Sequence, residues 1–352
     1  MLLEFVIALG LLILLHEAGH FLVGLLFKFR IEEFGVGYPP KLVKLFTRNG
    51  IDYTLNWIPF GGFVRFKGES DPQETNGFYA QNKWKRLAVM LAGPAMNILI
   101  GIALFSIVFS NTGEPLTDQV LVQYVEPNTP AAIAGLLVDD HILQLDGTLI
   151  DSMSTFSTLV QDNLGQQMDM LVERDGQQLT LQITPREEWP EDQGPLGIVM
   201  TNPIQPLTIP ESIGNALDWT RYQGEQLVKL PSQLITGQVK TSEVRLLSPK
   251  GIYDVYAQVR TSEQASGVDQ KTEFLDILWF FGIISVSLGF TNLLPIPALD
   301  GGRILFLLPE LITGKRLPAR FEGWVNTIGF TILVMIMMFV FVKDFINPVV
   351  LP

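Results

Sequence analysis

The sequence predicts an integral membrane α-helical bundle of four transmembrane helices, interrupted by a small soluble α+β domain. Three observations carry this. Of 352 residues, 47% are hydrophobic and 17% charged, whereas soluble domains carry about a quarter charged residues. The apolar residues gather in four runs, each close to the roughly 20 residues needed to cross about 30 Å of hydrocarbon. A long acidic stretch separates the second run from the third.

The first run, 2–27, lacks a basic segment ahead of it and exceeds the usual length of a signal-peptide core. It reads as a retained span. The second is 87–109, the third 274–294 and the fourth 324–342; the third ends in a proline-rich stretch and reads as a broken helix. This divides the chain into an N-terminal membrane part (1–110), a soluble domain (117–200), a linker (201–273) and a C-terminal membrane part (274–352). Lysine and arginine set the orientation. The loop 28–86 holds ten of them, and the stretch 110–273 holds nine against 23 acidic residues. The basic loops are expected on the cytoplasmic side. The acidic insert and both termini are then extracytoplasmic.

The chain has no cysteine, which excludes disulfides, zinc–thiolate sites and cysteine nucleophiles. The net charge of −12, with no basic stripe, argues against nucleic acid as a partner. Histidine chemistry must use His16, His20 or His141. His16-Glu17-Ala18-Gly19-His20 is H-E-x-x-H. On a helix, residues i and i+4 share a face, so both imidazoles can reach one metal ion. Catalytic zinc keeps three protein ligands and an open position, and Glu17 can take a proton from water held there. Ionisable groups at membrane depth are costly and usually functional. No further histidine lies in a span, so the third ligand should be a carboxylate. Asp300 is the best candidate, at the cytoplasmic end of the third span. His16 lies about 20 Å into the first span, at matching depth. The prolines and glycines around Asp300 mean unwound backbone, tolerated at such depth only inside protein or along a wet cavity.

HEAGH in the first span, AGPAMN (92–97) in the second and NLLPIPALDGG (292–302) in the third together resemble the site-2 protease family of intramembrane zinc metalloproteases. The bacterial regulator-of-sigma-E protease type is the branch most like this chain. The resemblance implies Zn2+ on His16, His20 and Asp300, and Glu17 as catalytic base. It implies that Asn292 helps to hold the unwound substrate and that the stretch with Asn97 lines the site. Pro297, Gly61 and Gly62 are further candidate substrate contacts. Residues 34–66 read as strand-like runs broken by glycines and prolines. The family implies a cytoplasmic-side, membrane-associated β-hairpin there, whose open edge could pair with a stretched substrate.

In the insert, 120–125 has strand character, 130–135 is a short helix, and 168–173 and 178–183 form a hairpin around Asp175-Gly176. His141 reads as a strand residue rather than a ligand. The order resembles a PDZ domain, which adds an extended peptide as a strand. Leu196, Gly197 and Ile198 resemble its carboxylate-binding loop, so peptide C-termini are candidate partners. There is room for one such domain, where the best-known member of the branch has two. Residues 210–230 read as an amphipathic helix ended by Pro231. It is expected either on the outer membrane surface or against the soluble domain.

The expected activity is cleavage of single-span membrane proteins, such as anti-sigma factors or signal-peptide remnants, within the lipid of a bacterial cytoplasmic membrane. A metal transporter would also use histidine and aspartate at mid-membrane, but has no obvious need for Glu17. A peptide-sensing scaffold with an inert metal site is the other alternative.

Overall fold

The computed structural model describes residues 1–69, 74–190, 193–239, 245–266 and 269–350. Residues 191–192 of the expected 117–200 domain lie outside the described residues, as do 240–244 and 267–268 of the expected linker.

Along the chain, α1 (Leu2–Leu26) leads to the long strands β1 (Ile31–Arg48) and β2 (Ile51–Phe66), then to α2 (Lys83–Thr112). A mixed stretch follows: β3 (Glu114–Pro115), β4 (Val120–Val125), α3 (Pro130–Ile133), β5 (His141–Leu145), β6 (Thr148–Leu149) and α4 (Met153–Asp162). It continues with β7 (Met168–Arg174), β8 (Gln177–Ile183), β9 (Ile198–Thr201) and β10 (Ile204–Gln205). The helices α5 (Ile209–Ile235), α6 (Pro249–Ser266), α7 (Gln270–Leu293), α8 (Asp300–Thr313) and α9 (Ala319–Ile346) complete it. The chain forms two compact units, one of Met1–Val108 with Ile209–Pro352 and the other of Phe109–Thr208.

In the first unit, four helices are long and apolar enough to cross a membrane: Leu2–Leu26, Lys83–Thr112, Gln270–Leu293 and Arg320–Ile346. Helix α1 shows how such a helix serves two environments. Phe5, Leu9, Leu12, His16, Gly19, His20 and Gly24 are buried, a stripe with the helical period. Leu3, Ile7, Leu11 and Leu22 on other faces are apolar yet exposed, as a lipid-facing surface requires.

Three features differ from the sequence expectation. Residues 31–66 form more than a simple hairpin. Glu33 pairs with both Arg65 and Asp52, and Val36 with both Gly62 and Leu55. Each long strand therefore doubles back, and the first leg of β1 lies between two legs of β2. Repeated register shifts accommodate the folding. Second, Pro231 does not end the amphipathic helix; α5 runs on to Ile235 with Pro231 inside it, at the cost of one backbone hydrogen bond. Its Trp219 ring lies 5.1 Å from that of Trp279 on α7, so it packs on the third span. Third, the expected linker contains α6, whose Ile252, Tyr253 and Tyr256 pack with Phe5, Leu9 and Phe281. These apolar residues anchor α6 to α1 and α7, although its sequence is polar on average.

In the second unit, the strands order as β8-β7-β5-β4-β9, with β6 paired to β5. Alternate residues of β7 are buried (Met168, Met170, Val172). They pack with Val120, Val122, Ile142, Phe156 and Val160 around one core, the period-2 pattern of a sheet with one covered face. Strand β9 is an edge, paired to β4 on one side.

Candidate metal centre

Helix α1 presents His16 and His20 one turn apart, both buried, with ring centroids 4.9 Å apart. Asp300 arrives from α8. After α7 ends at Leu293, the chain crosses in irregular backbone to Leu299, with Ala298 at φ +76°. Asp300 opens α8 in its first turn, where the helix dipole favours a carboxylate. Gly301 lets that turn lie against the crossing chain: a Cβ there would come within 2.2 Å of the Leu294 carbonyl oxygen.

The three ligand-type atoms converge. Asp300 Oδ2 lies 3.1 Å from His16 Nε2 and 3.4 Å from His20 Nε2, and the two Nε2 atoms are 3.2 Å apart. Tetrahedral zinc, with ligands at about 2.0–2.1 Å, spaces them about 3.3–3.4 Å apart. The outer nitrogens agree with that use. His20 donates its Nδ1–H to the Val89 carbonyl at 2.7 Å, which leaves the Nε2 lone pair facing inward. His16 Nδ1 lies 3.2 Å from the Asn97 amide, whose Oδ1 is buried without a partner. With the amide turned over, Oδ1 accepts the Nδ1–H of His16, and the second imidazole is fixed in the same tautomer. The residues present therefore fit a divalent metal.

A model of the peptidase family M50 matches residues 4–336. The chain belongs to peptidase family M50. A protein of Clostridium perfringens described as a zinc metalloprotease is 32% identical over 346 residues, covering 97% of this chain and 98% of that one. One of Clostridium acetobutylicum, described likewise, is 30% identical over 345 residues, covering 98% and 97%. Zinc metalloprotease RasP of Oceanobacillus iheyensis is 27% identical over 431 residues, covering 97% of each chain.

In this M50 chain, a cavity of about 470 Å3 opens beside the cluster, lined by Glu17, Asn97, Asn292, Tyr38, Arg303 and Phe330 among others. Glu17, Asn97 and Asn292 thus share it with the histidines and Asp300. Pro297 is placed differently: it packs on the backbone of α9, where a Cβ on Gly329 would lie 2.3 Å from its Cβ. Gly62 lies against Glu17, with a would-be Cβ 3.4 Å from Glu17 Cγ. Gly61 seats the ring of Tyr38. Leu196, Gly197 and Ile198 belong to the second unit. There Gly197 sits at φ +72° under Thr129, and its N–H is committed to Gly194 O at 3.2 Å.

Sequence reasoning misses several neighbours. Gly93 brings α2 onto both imidazoles. Arg303 forms an ion pair with Glu69, just beyond β2. Burial alone would lower the Arg303 guanidinium, but the Glu69 carboxylate outweighs this and raises it. Burial and the charges of Glu17 and Asp300 push the Tyr38 phenol up. Gly93 has a legible signal in the AGPAMN run; Tyr38 and the Glu69–Arg303 pair have none.

Proposed function

We propose that the chain is a zinc-dependent intramembrane endopeptidase that cleaves transmembrane segments of single-span membrane proteins. The observation that carries this reading is the convergence of His16, His20 and Asp300 beside Glu17, among helices fit to cross a membrane. Family membership and the zinc metalloprotease names of the relatives support it.

His16 and His20 through Nε2, and Asp300 through a carboxylate oxygen, would hold the ion. Zinc in that position supplies Lewis acidity for hydrolysis of a peptide bond. Glu17 is the base: it takes the proton of the attacking water and passes it to the leaving nitrogen. Val89 and Asn97 hold the imidazoles in orientation. A helix hides its carbonyls in i to i−4 hydrogen bonds, so the substrate must unwind. The 62–66 leg of β2 pairs with the first leg of β1, and its Phe63, Val64 and Phe66 line the cavity. A substrate strand added on that side, with Asn292 facing it, would hold the unwound segment extended.

The excess of lysine and arginine in 28–86 favours a cytoplasmic face for that loop. The second unit and both termini then lie outside a bacterial cytoplasmic membrane. The second unit would act as a PDZ-like domain. Between α4 and the edge strand β9 runs a groove lined by Phe156, Val160, Leu196, Ile198 and Met200, suited to an added peptide strand with an apolar C-terminal side chain.

The metal assignment is tested by elemental analysis of the purified chain. Wild type should hold one zinc per chain and Asp300→Ala much less. Equal zinc in both would remove Asp300 from the ligand set.

A further inference from the structure

Tyr38 ends the first leg of β1, paired with Ile58, and lines the cavity that holds His16, Glu17, His20 and Asp300. The local backbone is built to put it there. Gly61, at φ +85°, passes directly under the ring, and a Cβ on it would lie 2.4 Å from Cε2. Any side chain at that position would displace the tyrosine. Elsewhere in the cavity lining, Phe63, Val64 and Leu288 offer no side-chain polar atom.

Most donors facing this cavity are committed; besides Tyr38, the Asn292 amide is the exception, and it is placed to hold the extended substrate backbone. His20 donates to Val89, Asn97 meets His16, and Arg303 is held by Glu69. The carboxylates of Glu17 and Asp300 accept. Among the described residues, the Tyr38 hydroxyl has no hydrogen-bond partner. A peptide carbonyl under attack gathers negative charge on its oxygen, and a neutral donor already aimed at that charge stabilises it more than it stabilises the ground state.

We infer that the Tyr38 hydroxyl donates a hydrogen bond to the scissile carbonyl oxygen as negative charge develops on it. The inference rests on the hydrolytic reading above. The hydroxyl keeps its proton throughout. Tyr38 is only partly buried, at 47% exposure; that partial burial, with the charges of Glu17 and Asp300, holds the phenol above its ordinary value, so the proton is present at neutral pH.

The test is Tyr38→Phe in the full chain, zinc-loaded in detergent, beside wild type and Glu17→Gln. Two readouts are taken: steady-state cleavage of a single-span test protein, and affinity for a phosphinic peptide that mimics the tetrahedral state. The expected result is a kcat lower by about 100-fold, the scale for loss of one donor to such an oxygen. KM and bound zinc should stay unchanged, and phosphinate affinity should fall in parallel. Wild-type kcat and phosphinate affinity in Tyr38→Phe would overturn the role of Tyr38 while leaving the protease reading intact. A rise in KM alone would also overturn it, showing a ground-state contact. A wild type that neither cleaves nor binds the phosphinate would overturn the protease reading and this inference together.

Discussion

The backbone of Gly93 lies against the ring of His20: a Cβ on Gly93 would sit 2.3 Å from His20 Nε2, and 2.7 Å from His16 Nε2. Helix α2 can approach both imidazoles at ligand distance from one another only because this position has no side chain. Gly93→Ala should push the two rings apart and lower zinc content, with α2 still helical. Elemental analysis checks this, and full zinc occupancy in Gly93→Ala would show that the rings can yield.

Asn97 is expected to act on metal affinity through His16. Loss of a partner that orients a ligating imidazole typically costs about 10–100-fold in affinity. Asn97→Leu should show a loss of that size in competition with a chelator, whereas Asn97→Asp, which still accepts from Nδ1–H, should keep most of the affinity. Equal losses in both variants would speak for packing instead.

Glu33, 4% exposed, anchors the folded sheet. It accepts from Thr54 Oγ1 at 2.8 Å and pairs with Lys41 at 2.9 Å and Arg65 at 2.8 Å. Burial alone would raise its carboxyl, but the Lys41 and Thr54 hydrogen bonds and the Arg65 charge outweigh burial and lower it from 4.5. A lowered carboxyl contributes stability that is complete above the unfolded value and lost as pH falls through the folded one. Hydrogen-exchange protection of 31–38 and 62–66 should therefore drop below about pH 4.5 in wild type. In Glu33→Gln it should already be reduced at neutral pH and change less with acid.

In the second unit, Asp140 is fully buried and accepts from Arg174 Nε and Nη2, each at 2.6 Å, and from the Leu137 N–H at 2.8 Å. Asp140→Ala should destabilise this unit by about 2–3 kcal/mol, as expected for lost hydrogen bonds to a charged group. Faster exchange in β4 and β5 of the full chain, with α1 and α2 unaffected, is the readout.

How much of this was legible varies with the range of the interaction. The His16–His20 pair is readable because i and i+4 on a helix fix the geometry locally. Asp300 lies 284 residues from His16, yet three-ligand chemistry and the lack of another membrane histidine single it out. The four apolar helices are readable because hydrocarbon thickness sets their length. The folding back of 31–66 is not, since each strand run reads alike whether it has one neighbour or two. Helix α6 hides because Ile252, Tyr253 and Tyr256 are few among polar residues, and only their contact with α1 and α7 reveals a buried face. Pro231 reads as a stop, but packing of α5 on α7 overrides the local preference. Tyr38 carries no signal at all, because its position follows from a sheet whose folding is itself unreadable.

The most direct measurement is cleavage of a single-span test protein by the purified, zinc-loaded chain in detergent, with cut sites mapped by mass spectrometry and Glu17→Gln alongside. Cuts inside the span by wild type, with none by Glu17→Gln although it retains zinc, are the expected result. Cleavage persisting in Glu17→Gln would contradict the role of Glu17, and no cleavage by a zinc-loaded wild type across several test spans would contradict intramembrane proteolysis itself.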